Sequence, residues 1–172
     1  MTLFAIPYPN IDPIAFSLGP VSVKWYGLAY MAGLLLGWTY VKRLIANNKL
    51  WRANTSPFPV TMVDDLLLFV TLGVVIGGRL GHVLFYEPEY YLSNPSQILK
   101  IWQGGMAFHG GALGVTFALW MFSLWRRYSV LSLADVVTAA VPIGLFFGRI
   151  ANFINSEVVG TVSSVPWAIA FP

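Results

Sequence analysis

Four long apolar stretches dominate this sequence and limit what it can fold into. They cover residues 21–43, 61–86, 104–125 and 131–153, and the part of the first stretch from 25 to 41 contains no charged residue. About 20 apolar residues in a helix, at about 1.5 Å per residue, cross the roughly 30 Å hydrocarbon core of a bilayer. We therefore expect an all-α fold, a polytopic integral membrane helix bundle with about four transmembrane helices in one domain.

Composition supports the membrane setting and excludes other classes. The chain is 57% hydrophobic and 10% charged, whereas an average soluble domain is about 25% charged. A net charge of +3, spread along the chain, gives no reason to expect nucleic acid as a partner. The chain has no cysteine, so any thiol in its chemistry must belong to a substrate.

The loops between the stretches carry unequal charge. Basic residues follow the first stretch and the third stretch, whereas the loop from 87 to 103 has one lysine against two glutamates. Under the positive-inside rule the basic loops are cytoplasmic, so the N-terminus, the 87–103 loop and the segment 154–172 face outward. The first stretch is predicted to be a retained anchor. The proline-containing arm 1–20 is predicted to be a loop with a short amphipathic piece on the membrane surface.

Shorter features predict packing and helix ends. Glycines four residues apart allow helices to approach closely in lipid; they are Gly33 with Gly37, Gly73 with Gly77, Gly77 with Gly81, and Gly110 with Gly114. Asn94 and Pro95 resemble the start of a short interfacial helix, which the two glycines at 104 and 105 then end. Asp64 and Asp65 are interpreted as structural, since acids suit a helix start.

A polar run, GRIANFINSEVVG, closes the fourth stretch at residues 148–160. An ionisable group at bilayer depth costs roughly 2.5–3.5 kcal/mol and is tolerated mainly where it lines a cavity or meets a ligand. Arg149 and Asn152 share a helical face, which Ser156 joins if the helix continues that far, while Asn155 and Glu157 point elsewhere. The guanidinium suits a phosphate, of which lipid is the available source; an ion pair with Glu157 or snorkelling is the alternative.

A second polar face lies on the second stretch, where Arg79, His82, Val83 and Tyr86 follow helical spacing. Arg79 is a further candidate for a phosphate. His109 and His82 are the two histidines, and neither has the companions a zinc site needs, so we expect no metal and no cofactor. A lone histidine near the interface is more often a hydrogen-bonded structural residue than a base, and a tyrosine such as Tyr26 more often belongs to an interfacial aromatic belt.

Four blocks then resemble one known family. GRIANFINSEVVG resembles the signature of the bacterial prolipoprotein diacylglyceryl transferases, and VKWYGLAY, GGRLGHVLFY and WQGGMAFHGG resemble its other blocks in the same order. The resemblance implies an inner-membrane enzyme with its site toward the periplasm. It implies transfer of diacylglyceryl from phosphatidylglycerol to the lipobox cysteine of a preprolipoprotein signal peptide, with release of glycerol phosphate.

The resemblance also implies residue roles. It marks as important Tyr26, His109, Arg149, Asn152, Glu157 and Gly160, with Arg79 as a helper. Our hypothesis is that Arg149 and Asn152, with Asn155 nearby, hold the lipid phosphate as the glyceryl carbon–oxygen bond breaks. His109 then takes the thiol proton, directly or through Tyr26.

Two departures from the family pattern and three alternatives accompany this hypothesis. His82 stands where a tyrosine is expected, which makes it a second candidate base. Family members continue beyond PWAIAFP into further spanning helices with another essential arginine, so we expect the chain to correspond to an N-terminal part. The first two alternatives are a non-catalytic phosphatidylglycerol-binding membrane protein and an inactive fragment of the enzyme. The third is half of a transporter, which ranks last because a transporter site lies near the membrane midplane and the polar residues here lie near the outer helix ends.

Overall fold

The computed structural model describes residues 6–19 and 21–172, and most of them are helical. The helices and strands, in chain order, are β1 (Ile6–Pro7), β2 (Ile14–Leu18), β3 (Val21–Lys24), α1 (Trp25–Ala46), α2 (Met62–Phe85), α3 (Pro88–Ser93), α4 (Phe108–Arg126), α5 (Val130–Ile154) and β4 (Ile169–Ala170). Short 3-10 helices cover Asn48–Leu50, Arg52–Asn54, Pro95–Leu99 and Ile101–Gln103. The fold is a polytopic membrane helix bundle.

Three helices in the described ranges are long and apolar enough to cross a membrane, judged by length and composition. They are α2, α4 and α5, with 24, 19 and 25 residues and mean hydropathies of 1.8, 1.2 and 2.0. Helix α1 is 22 residues long, but its tryptophans, tyrosines and glycines lower its hydropathy and it is not among the three. A fourth span is therefore still a prediction.

The short strands correct the all-α prediction. Strand β2 pairs antiparallel with β3 in the region predicted to be a surface loop and the start of the first span, and β1 pairs parallel with β4. Apolar and polar residues alternate along β3, which suits a strand with two different faces. Helix α1 consequently begins at Trp25 and not at residue 21. Helical periodicity gives no information about which segments pair as strands, so these strands were not predicted.

Other helix ends lie close to their predicted positions, with one informative exception. Helix α4 begins at Phe108, later than the predicted residue 104, because Gly104 and Gly105 have φ values of +93° and +76° that a right-handed helix does not contain. The predicted short helix after Asn94 is present as a 3-10 helix with Pro95 at its start. Helix α3 was not predicted.

The chain divides into two compact units, and the boundaries fall within α1 and α5. One unit contains the described residues of Met1–Gly37 together with Ala140–Pro172, and the other is Trp38–Ala139. In the first unit, a Cβ placed on Gly33 would lie 3.3 Å from the Cα of Gly144. Glycine therefore lets α1 and α5 approach closely there.

In the second unit, α2 and α4 cross through glycines on both helices. A Cβ on Gly77 would lie 2.4 Å from the carbonyl oxygen of Gly110, and one on Gly114 would lie 2.0 Å from that of Gly73. Both distances are too short for any side chain, so the backbones are in direct contact. The predicted packing role of these spaced glycines is confirmed.

The N-terminal end of α2 is held by ion pairs with neighbouring helices. Lys42 Nζ lies 2.8 Å from Asp64 Oδ1, and Trp38 Nε1 donates a hydrogen bond of 2.6 Å to the same oxygen. Arg126 of α4 forms an ion pair with Asp65. These contacts agree with the structural role predicted for the two aspartates.

The largest fully buried side chains of this unit are Phe122, Ile45, Leu133 and Val136.

Candidate functional site

The predicted polar run lies where α5 ends in a tight turn. The backbone N–H of Glu157 donates to the carbonyl oxygen of Asn152 at 2.8 Å, and that of Ser156 donates to Phe153 at 3.2 Å. With φ of +55° at Ser156, these are the two hydrogen bonds of a Schellman motif. The helix therefore stops at Ile154 and does not continue far enough for Ser156 to join the face of Arg149.

The segment after α5 holds several residues in the left-handed region. Val158 has φ of +54° and Gly160 has φ of +86°. A non-glycine residue in a sparsely populated conformation costs of order 1–3 kcal/mol and persists only where surrounding contacts hold it. A Cβ on Gly160 would meet nothing within 4 Å, so glycine is favoured there by its φ and not by lack of space.

Arg149 lies near the end of α5 with an exposed side chain. Its guanidinium takes part in no ion pair and no hydrogen bond among residues 6–19 and 21–172, so the described residues do not form the alternative ion pair between Arg149 and Glu157. The planar guanidinium can offer paired hydrogen bonds to an anion.

Two asparagines flank the turn. Asn152 is one helical turn from Arg149 and is half-buried, as is Asn155. The Oδ1 atom of Asn155 is buried without a hydrogen-bond partner, which is uncommon for a polar side-chain atom. Polar groups without mutual partners are thus concentrated at this end of α5.

The N-terminal arm supports the same helix end through Tyr8. Its hydroxyl lies 2.7 Å from the carbonyl oxygen of Ile154 and 2.9 Å from that of Phe153, so its single hydrogen can be donated to either. The ring also packs against Phe153 and Phe171, with centroid distances of 5.3 Å and 5.0 Å. Sequence reasoning missed Tyr8, because no local pattern relates residue 8 to a helix end near residue 154.

Tyr26 is the second residue of α1 in the same unit. Its ring is half-buried and lies beside that of Tyr30, with centroids 5.2 Å apart. Tyr26 belongs to the same compact unit as Arg149, Asn152 and Glu157.

Arg79 of the second unit is bonded very differently from Arg149. It is the buried charged side chain found among the described residues, with 4% of its surface exposed. Its guanidinium donates to backbone carbonyls of the loop between residues 97 and 105, at distances that start from 2.6 Å. In this arrangement its donors already have acceptors, and its role as a phosphate ligand stays a prediction.

The two histidines also differ in their surroundings. His109 is exposed and is the second residue of α4, with its ring against Phe108. His82 is half-buried, stacks on Tyr86, and has Nε2 3.9 Å from Glu87 Oε1. A polar cavity of about 310 Å³ lies beside His82 and is lined further by Glu87, Tyr90, Tyr91, Gln97, Gln103, Gly104 and Gly105. No group of three or more metal-binding side chains occurs in the described part of the chain.

The sequence matches the family model for prolipoprotein diacylglyceryl transferase over residues 13–172. The chain belongs to this family. Every residue predicted from the sequence to take part in the site lies within the matched range, whereas Tyr8 lies outside it. Membership confirms the resemblance that the four sequence blocks indicated.

Curated relatives show the same relationship. The chain is 54% identical over 170 residues to the phosphatidylglycerol–prolipoprotein diacylglyceryl transferase of Rhizobium meliloti, covering 99% of this chain and 61% of that protein. It is 55% identical over 172 residues to the enzyme of the same name from Paramagnetospirillum magneticum, covering 98% of this chain and 61% of the relative. The chain thus spans about 61% of the length of these family members.

Proposed function

We propose that this family member takes part in transferring the diacylglyceryl group of phosphatidylglycerol to the cysteine thiol of a prolipoprotein. The names of its relatives contain both substrates. The structural observation that carries the proposal is the exposed Arg149 guanidinium, which has no ion pair among the described residues and lies within the family's polar run. The residues of the first unit bind and stabilise the lipid phosphate.

Arg149 acts on the bond that breaks. The thiolate sulfur forms a bond to the glyceryl carbon, and the carbon–oxygen bond to the phosphate breaks, so that glycerol phosphate leaves with the electron pair. The guanidinium stabilises the charge that develops on the phosphate oxygens, and the amides of Asn152 and Asn155 supply further donors. We assign Glu157 and Gly160, which belong to the turn at 156–160, to the same site.

The thiol must lose its proton before sulfur can attack efficiently. We assign this proton to His109, either directly or with Tyr26, and His82 is the alternative base. General-base assistance contributes about 10²- to 10⁴-fold to such a step. Loss of transfer in His109→Gln with normal transfer in His82→Gln would support the assignment, and the reverse result would move the role to His82.

We also propose the placement in the membrane. Helix α1 is a fourth span, the N-terminus and the end of α5 face the periplasm of a bacterial inner membrane, and the basic loops face the cytoplasm. The charge distribution of the loops supports this orientation. Labelling of cysteines introduced at residues 49 and 158 from either side of the membrane would test it. We expect residue 158 alone to react from outside.

The deciding experiment measures transfer of labelled diacylglyceryl from phosphatidylglycerol to a lipobox peptide. The 172-residue chain in detergent is compared with the chain joined to the remaining part of the Rhizobium meliloti relative. We expect transfer in at least the joined form, and its loss on Arg149→Ala. Phosphatidylglycerol binding without transfer in both forms would overturn the proposal in favour of a non-catalytic lipid-binding protein.

A further inference from the structure

We infer that Arg79 is a positioning residue that holds the loop before α4 and thereby places His109, and that it is not a ligand of the lipid phosphate. The inference rests on the proposed function, in which His109 takes part in transfer. The Arg79 guanidinium binds the loop that ends at the start of α4, and His109 lies at that start.

All the N–H groups of the Arg79 guanidinium face backbone carbonyls. Nε donates to Ile98 at 2.8 Å. Nη1 donates to Gly104 and Gly105 at 2.6 Å and 3.0 Å, and Nη2 donates to Gln97 at 2.6 Å with a longer contact of 3.5 Å to Lys100. A guanidinium has five N–H donors, so none is left over for a phosphate.

The acceptors explain why a cation is needed at this place. The 3-10 helices Pro95–Leu99 and Ile101–Gln103 end within this loop, where carbonyl groups lack a full set of partners within the helix. The carbonyl oxygens of Gln97 and Lys100 each accept one backbone N–H and have a second lone pair for Arg79. A buried arginine can cap several of them at once, and its own charge is compensated by their dipoles. No carboxylate within the described ranges forms an ion pair with Arg79. The backbone carbonyls and the ring of Tyr91, whose centroid lies 5.0 Å from the guanidinium carbon, compensate its charge instead.

Gly105 is the part of the loop that this arrangement requires to be glycine. Its φ is +76°, and an added Cβ would lie 2.7 Å from the His82 ring and 2.8 Å from Arg79 Nη1. A larger residue would therefore push the loop away from the guanidinium. The loop can therefore lie against the Arg79 guanidinium only while residue 105 has no side chain.

From this contact the chain leads directly to His109. The backbone N–H of Ala107 donates to the carbonyl oxygen of Gly78 at 2.9 Å, next to Arg79 on α2, and Ala107 is buried. Helix α4 begins at the following residue and His109 is its second residue. The start of α4 is thus attached to α2 both through the Arg79 loop and through Ala107. A displaced catalytic group can cost about 10²-fold in rate.

The test separates the turnover number from the affinity for lipid. Arg79→Gln, Arg79→Lys and Gly105→Ala are compared with Lys100→Gln, which removes a positive charge from the same loop but keeps every backbone carbonyl. Transfer is measured in the protein form that is active in the assay above, with kcat and the KM for phosphatidylglycerol determined separately. Amide hydrogen exchange of residues 97–107 is followed in the same proteins.

We expect Arg79→Gln and Gly105→Ala to lower kcat by about 10²-fold while KM changes little, and to speed exchange in the loop. Arg79→Lys should be intermediate, since lysine retains the charge but not the fork of donors. Lys100→Gln should match the unsubstituted protein. If Arg79→Gln does not fold, the lysine and Gly105 variants carry the same comparison.

Two results would overturn the inference. One is a large rise in KM for Arg79→Gln, with normal kinetics in Gly105→Ala, which would make Arg79 a phosphate ligand. The other is faster loop exchange with unchanged kcat, which would make the loop irrelevant to His109. Absence of transfer in the unsubstituted protein would instead contradict the proposed function, while loop exchange would still report whether Arg79 holds the loop.

Discussion

Two arginines in apolar stretches of this chain have opposite surroundings. Arg79 is 4% exposed and bonded to the carbonyls of one loop, whereas Arg149 is exposed beside a turn of strained backbone. Both cost free energy in a membrane helix. The difference shows that an arginine in an apolar stretch can have either of two roles. Where its N–H donors are satisfied by the protein, it stabilises the local structure; where they have no partner, they can bind a ligand.

The largest effect is expected when Arg149 is replaced by lysine. Loss of one transition-state donor typically costs about 10²–10³-fold in kcat, and we expect a loss of that size because an ammonium cannot reproduce the fork. Thermal stability in detergent should stay unchanged, since the guanidinium forms no ion pair or hydrogen bond with the described residues. Full activity of Arg149→Lys would contradict paired phosphate recognition.

A smaller effect is expected from Gly77→Ala at the crossing of α2 and α4. The added Cβ would lie 2.4 Å from a backbone oxygen of α4, and overpacking of this kind costs about 1–3 kcal/mol. The free energy of unfolding in detergent measures it. Gly148→Ala provides the matched control, because a Cβ there meets nothing within 4 Å; equal destabilisation by both would refute close packing at Gly77.

The smallest effect should come from Tyr8→Phe, which removes a hydroxyl and keeps the ring packing. We expect a loss of about 0.5–1.5 kcal/mol in stability, the usual value of one hydrogen bond. Because the hydroxyl supports the end of α5, transfer should also fall, with little change in loop exchange at 97–107. Unchanged stability and transfer would show that the arm is dispensable to the site.

Sequence reasoning succeeded where the physical rule is local. The lengths of α2 and α5 follow from the width of a bilayer, and the glycine spacing on α2 and α4 follows from the need for close approach in lipid. Tyr8 and the partners of Arg79 could not be predicted in this way. Their hydrogen-bond acceptors are backbone carbonyls, which every residue possesses, so no residue type at the acceptor position identifies them.

The sequence by itself determined a helical membrane protein of a recognisable family with a polar cluster at the end of one apolar stretch, because hydrophobic length and residue spacing act through nearby residues. Only the tertiary structure decided that strands occupy the region before α1, that α5 turns at Ser156, and that the donors of Arg79 are satisfied while those of Arg149 have no ion pair. The pairing of β1 with β4 and the hydrogen bonds of Arg79 join segments that are distant in sequence, and a buried charge is stable only where such contacts compensate it.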